Sequence, residues 1–135
     1  QDALVICAAG NSVADEKFYP ASFKYAISAA ITSADDEIVG TMTTWNYAVD
    51  VSATGDWMPT THAGGGWLNV GSGSSFASPV AAGIAAMIKS ENPSFTALRA
   101  FSSNEQVPRC TASTLSSCLS LLSFTIFPQR VTEEL

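Results

Sequence analysis

The sequence predicts an α/β fold in three layers, with helices on both faces of a mainly parallel sheet. Three observations predict it. Short continuous apolar runs at Ala3 to Ala9 and Tyr25 to Ile31 read as strands buried on both faces, as in a sheet covered by helices. A stretch from Phe76 to Lys89 is apolar on nearly every side and reads as a central, buried helix. Across 135 residues, 47% hydrophobic and 13% charged composition is enough for one domain with a respectable core.

Taken in order, the first run ends in Gly10-Asn11, which places Asn11 just past the C-terminal end of a strand. In open α/β sheets that edge is where sites are built, although an isolated Gly-Asn pair is by itself an ordinary turn. Asp15 to Lys17 is a charged loop, and Tyr19-Pro20 reads as a turn whose X-Pro bond can be cis at modest cost. The second strand lies within Lys24 to Thr32. Ser33 to Glu37 closes it, and the adjacent carboxylates Asp35, Asp36 and Glu37 read as a solvated turn rather than a metal site. Trp57 to Leu68 is rich in Gly, Thr and Trp, carries the only histidine, His62, and reads as a flexible loop.

The buried helix follows. Gly83 within it costs helix propensity, for which close approach to a neighbouring strand is the natural reason. Asn92-Pro93 breaks the chain and starts a second short helix through about Phe101. The chain therefore divides into a patterned part, residues 1–103, and an unassigned extension, residues 104–135.

The stretch richest in chemistry is Gly73-Ser74-Ser75-Phe76-Ala77-Ser78-Pro79-Val80-Ala81-Ala82-Gly83. A Gly-rich lead-in, a hydroxyl residue and a small-residue helix put Ser75 at a helix start, where free N–H groups and the helix dipole favour a developing oxyanion. Pro79 is read as lying in the first turn, where proline is tolerated. Alone, a serine before an apolar run is more often a cap than a nucleophile. The whole pattern, however, resembles the nucleophile motif of the subtilisin-like serine proteases (subtilases, peptidase S8), with Gly73, Ser74, Ser75, Ala77 and Pro79 meeting its fixed positions.

Two further segments are similar to the family in the right order. Ala8-Ala9-Gly10-Asn11 resembles the segment that supplies the oxyanion-hole asparagine, and Val49-Asp50-Val51-Ser52-Ala53-Thr54-Gly55 resembles a stretch that usually has proline where Thr54 stands. The resemblance covers about residues 3 to 102, the C-terminal half of a catalytic domain. It implies Ser75 as nucleophile and Asn11 as oxyanion donor, a role suited to an amide that donates a hydrogen bond without titrating. In this family such an asparagine is worth about a hundred- to a thousandfold in rate, a magnitude that comes with the resemblance. It also implies that Ala8, Ala9 and Gly10 form one wall of the substrate pocket, with Tyr19 and Pro20 beside it.

His62 is not read as the general base. The family's histidine precedes the serine by a long way and sits in a His-Gly-Thr context that His62-Ala63-Gly64 lacks. No segment matches the Asp-Thr-Gly or His-Gly-Thr motifs, so the triad Asp and His are expected on a missing N-terminal half of the same domain. A serine without a base is a poor nucleophile, and the chain alone is expected to be inactive. Two other readings are weighed: a catalytically inactive homologue acting as a binding or scaffolding module, and an esterase using His62 with the Gly64 to Gly66 loop. The latter lacks a Gly-x-Ser-x-Gly elbow, because Ala77 stands at the second glycine.

Composition narrows the partners. A formal charge of −6 with six Lys and Arg in all excludes a basic nucleic-acid footprint, and no apolar run reaches membrane-spanning length. Polypeptide is the substrate the resemblance implies, and secretion the location. No cofactor or metal ligand set is identifiable, although calcium accompanies the family. Cys7 reads as a small buried hydrophobe, pairing of Cys110 with Cys118 stays open, and a start at Gln1 without Met reads as a fragment or processed piece.

Overall fold

The computed structural model describes residues 3–69 and 71–96 and, as backbone, 124–126. Along the chain these form β1 (Val5–Ala8), β2 (Ala26–Thr32), β3 (Val51–Thr54), β4 (Pro59–Thr61), β5 (Trp67–Asn69), α1 (Ser74–Glu91) and β6 (Phe124–Ile126). One sheet has the order β1-β2-β3-β6, with β1, β2 and β3 parallel and β6 antiparallel to β3. The expected α/β fold with a mainly parallel sheet is what forms.

The middle strand, β2, is buried along all seven residues, as its Ala, Ile and Thr composition suits. Because side chains alternate across a strand, Ile27, Ala29 and Ile31 share a face with Val51 and Ala53 of β3. That face meets Ala77, Ala81 and Ala85 of α1, which recur every four residues along one side of the helix. Methyl-sized side chains let helix and sheet approach closely around Ile31. Ile31 is fully buried and contributes about 1.5–3 kcal/mol by leaving water.

Polar bonds fix how the strands enter this core. The Asp50 carboxylate accepts the Ser28 N–H at 2.8 Å, and the Asp50 N–H donates to the Ser28 carbonyl at 3.0 Å. The register Ala29↔Val51 follows directly after that pair. At its other end α1 stops at Asn92, whose backbone N–H and side-chain amide both donate to the Ile88 carbonyl at 3.1 Å. This answers one of the four carbonyls that a helix C-terminus leaves unpaired.

Several expectations are corrected. The helix begins at Ser74, so Pro79 is an interior residue rather than a first-turn one, and it offers no N–H to the Ser75 carbonyl. The helix is not covered on every side. Ala77, Ala81, Ile84 and Ala85 are buried, whereas Ala82, Gly83 and Ala86 are exposed, because the sheet covers one face only. Among the described residues a Cβ on Gly83 would have no atom within 4 Å, so no described strand approaches it.

Strand β1 is half-buried rather than enclosed, since it is the outermost strand of the described sheet. The stretch expected as a flexible loop is a hairpin of β4 and β5, turned by Gly65 and Gly66 at φ 84 and 83. Asp35, Asp36 and Glu37 lie on an exposed turn, with the Asp35 and Glu37 N–H groups donating to Ser33 Oγ. The second helix is a turn over residues 92–96, with the remainder outside the described residues, as are Cys110 and Cys118. Among the described residues no helix is long and apolar enough to cross a membrane.

Candidate active site at the C-terminal edge of the sheet

Parallel strands end together, and here the ends of β1, β2 and β3 gather the start of α1 between them. Gly55, just past β3, donates its N–H to the Thr32 carbonyl and accepts the Gly73 N–H, both at 3.1 Å. A Cβ on Gly55 would lie 2.7 Å from the Gly73 carbonyl and 3.0 Å from the Ala77 nitrogen. Only glycine permits that approach, and the approach brings the helix start to the strand ends.

On the opposite side, β1 runs out through Ala9, whose N–H donates to the Ala29 carbonyl at 2.9 Å. Gly10 then turns the chain with φ at 106, a region that L side chains disfavour. The Phe18 ring closes over it, 2.5 Å from where a Cβ would be. This turn delivers Asn11 to α1.

The Asn11 amide is held by one residue. Its Oδ1 accepts the Ser74 N–H at 2.7 Å and the Ser74 hydroxyl at 3.0 Å. Ser74 Oγ in turn accepts the Gly10 N–H at 3.2 Å. With Oδ1 committed to two donors, the Nδ2 hydrogens face the other way. The point in front of Gly73 where a Cβ would sit is 3.2 Å from Asn11 Nδ2 and 3.2 Å from Ser75 Oγ. Amide and hydroxyl therefore border the same small space.

Ser75 is exposed, and its hydroxyl has no hydrogen bond among the described residues. In the first turn of α1, Phe76 and Ala77 donate to the Gly73 carbonyl and Ser74 donates to Asn11. That leaves the Ser75 N–H as the unpaired backbone donor of the helix start among the described residues. An electrophilic carbonyl at Ser75 Oγ would thus have two donors within reach of its oxygen, Asn11 Nδ2 and the Ser75 N–H.

Of the residues expected to shape a pocket, Ala9 is buried at 1% exposure, while Ala8 and Gly10 are half-buried beside it. Tyr19 and Pro20 are exposed and joined by a cis peptide bond, and the Tyr19 ring lies 4.9 Å from that of Phe23. His62 stands on the β4–β5 turn, exposed, with Nδ1 accepting the Gly64 N–H at 3.1 Å, and no hydrogen bond joins it to Ser75. The sequence reading did not foresee Ser74 as the partner of Asn11 or Phe18 as the cover of Gly10. Neither has a local signal, since Ser74 is 63 residues from Asn11.

A parallel sheet whose strand ends bring a helix-start serine against a strand-end asparagine is compatible with the resemblance to the subtilases. Sequence comparison agrees: residues 1–117 match the family described as peptidase S8, the subtilase family, and the chain belongs to it. It is 34% identical over 97 residues to thermitase of Thermoactinomyces vulgaris, covering 72% of this chain and 34% of thermitase. It is 32% identical over 93 residues to alkaline elastase YaB of Bacillus sp. (strain YaB), covering 69% of this chain and 24% of that protein. Among solved structures, a cold adapted subtilisin-like serine proteinase superposes with a TM-score of 0.63 at 33% identity, over 70% of this chain and 33% of that one. The chain thus spans about a third or less of the length of these relatives.

Proposed function

We propose that the protein to which this chain belongs is a serine endopeptidase, with Ser75 as nucleophile and Asn11 as oxyanion donor. The observation that carries the reading is the shared space in front of Gly73, 3.2 Å from both Asn11 Nδ2 and Ser75 Oγ. The Ser75 hydroxyl attacks the scissile carbonyl, its proton passes to a base, and the carbonyl oxygen takes the negative charge between Asn11 Nδ2 and the Ser75 N–H. Collapse releases the amine and leaves an acyl-enzyme on Ser75, which water then cleaves.

On this reading the base and the acid that orients it come from outside these 135 residues, a reading supported by the match covering only 34% of thermitase. The segment Ala8, Ala9 and Gly10, with Tyr19 and Pro20, would receive a polypeptide, and secretion is the location that suits the family likeness. A fluorophosphonate probe applied to the full-length protein tests the reading. Covalent label on Ser75, abolished in S75A, is the expected result. An unlabelled Ser75 in folded full-length protein overturns it and leaves the non-catalytic binding module in its place.

A further inference from the structure

The geometry points to Thr44 as a positioning residue that sets the oxyanion donor Asn11 by clamping the backbone of the next residue, Ser12. This rests on the reading of Asn11 just given. Thr44 Oγ1 accepts the Ser12 N–H at 3.0 Å and donates to the Ser12 carbonyl at 2.8 Å. One hydroxyl therefore fills both hydrogen-bonding functions of the peptide units flanking a single residue. Thr44 is completely buried, at 0% exposure, so neither bond is replaced by water when the hydroxyl is removed.

The clamp is built from a different part of the chain than the site itself. Thr44 lies 32 residues from Ser12 and belongs to the connection between β2 and β3. That connection is anchored to the sheet by its neighbour, because Thr43 Oγ1 donates to the Ile31 carbonyl at 3.0 Å. The same connection reaches the loop after Asn11 a second time. Asn46 Nδ2 donates to the Glu16 carbonyl at 2.6 Å, and the Lys17 ammonium lies 4.3 Å from the centre of the Tyr47 ring. Ser12 Oγ is itself buried without a partner, so its own side chain adds nothing to the hold.

Asn11 is consequently fixed from two sides by two different hydroxyls. Ser74 orients its amide, and Thr44 fixes the backbone that carries it. A donor to an oxyanion acts through its position, and a displacement of about an ångström is enough to lose much of its effect. Release of the Ser12 backbone lets Asn11 drift while the substrate-binding strand β1 stays in its register with β2. The loss therefore falls on the transition state and not on ground-state binding.

The test compares T44V, T44S and N11A in the full-length protein on a peptide p-nitroanilide, counting active sites by fluorophosphonate titration. T44V, which keeps shape and drops both bonds, is expected to lower kcat by about ten- to a hundredfold with KM within about twofold. T44S, which restores the hydroxyl, is expected to return kcat to within about threefold of the parent. Affinity for a peptide boronate should fall with kcat. If T44V does not fold, T44A is read in its place. A folded variant without the hydroxyl and with unaltered kcat overturns the role of Thr44, as does a loss carried by KM alone or one that T44S fails to restore. N11A separates the two levels. If N11A lowers kcat and T44V does not, only Thr44 is misassigned, whereas an N11A protein of full kcat removes the oxyanion reading and the clamp together.

Discussion

Ser74 and Asn11 are joined twice, by the Ser74 N–H at 2.7 Å and by its hydroxyl at 3.0 Å, both to Asn11 Oδ1. The helix start is thereby tied to the end of β1 through one amide oxygen. The same hydroxyl accepts the Gly10 N–H, so orientation of the amide and anchoring of its backbone share a single atom. Ser74 is 1% exposed, and water cannot take over either role.

Ser74→Ala removes that atom. The Gly10 N–H loses its acceptor and Asn11 keeps one of its two donors, so stability should fall by about 1–3 kcal/mol. In the full-length protein, kcat is expected to fall by about tenfold with little change in KM. Thermal unfolding and steady-state kinetics check the two effects separately, and Ser74→Thr should restore both.

Gly73→Ala makes the contrasting prediction. Its φ of 166 is extended backbone that any residue adopts, so the fold should tolerate the change. The added methyl would press on Asn11 Nδ2 and Ser75 Oγ, each 3.2 Å away, and fill the space in which the proposed reaction sets the scissile carbonyl. Activity should drop by at least about tenfold while the unfolding temperature stays within a few degrees. An active G73A would show that the space in front of Gly73 is not where substrate reacts.

Gly55→Ala is expected to act on the fold instead. Its Cβ would meet backbone at 2.7 Å and 3.0 Å, and backbone cannot swing aside as a flexible side chain can. A loss of about 1–3 kcal/mol is the cost of such overpacking. Denaturant unfolding of the full-length protein measures it.

Gly83→Ala should have the opposite sign in the same chain. Among the described residues no atom lies within 4 Å of the added methyl and the position is helical and exposed, so about 0.5–1 kcal/mol of stabilisation follows from helix propensity. Chemical denaturation of the two variants side by side gives the comparison.

These residues also show where the sequence is readable. Strand β2 announces itself through Ala26 to Thr32, because burial on both faces demands an unbroken run of small and branched side chains. Ser75 and Asn11 are legible because each stands at a junction of elements, one opening a helix and one closing a strand, within stretches of recognisable pattern. Thr44, Ser74 and Phe18 are not, since their roles depend on partners brought near only by folding, and a lone hydroxyl or ring carries no local mark of that.

The face of α1 that the described residues leave exposed is illegible for a related reason. Residues Val80 to Ile88 are apolar all round, so periodicity gives no hint that Ala81 and Ala85 meet the sheet while Ala82 and Ala86 meet solvent. The β4–β5 hairpin is not legible either, because Pro59-Thr60-Thr61 offers no alternation and its turn residues read equally well as a loop.

Strand β1 sits at the margin of the described sheet, and Asn11 hangs from its tip. A margin is where backbone groups remain available to a newcomer, and any strand that aligned there would brace the very segment carrying the amide. The stiffness of that turn would then depend on how the strand's free side is covered.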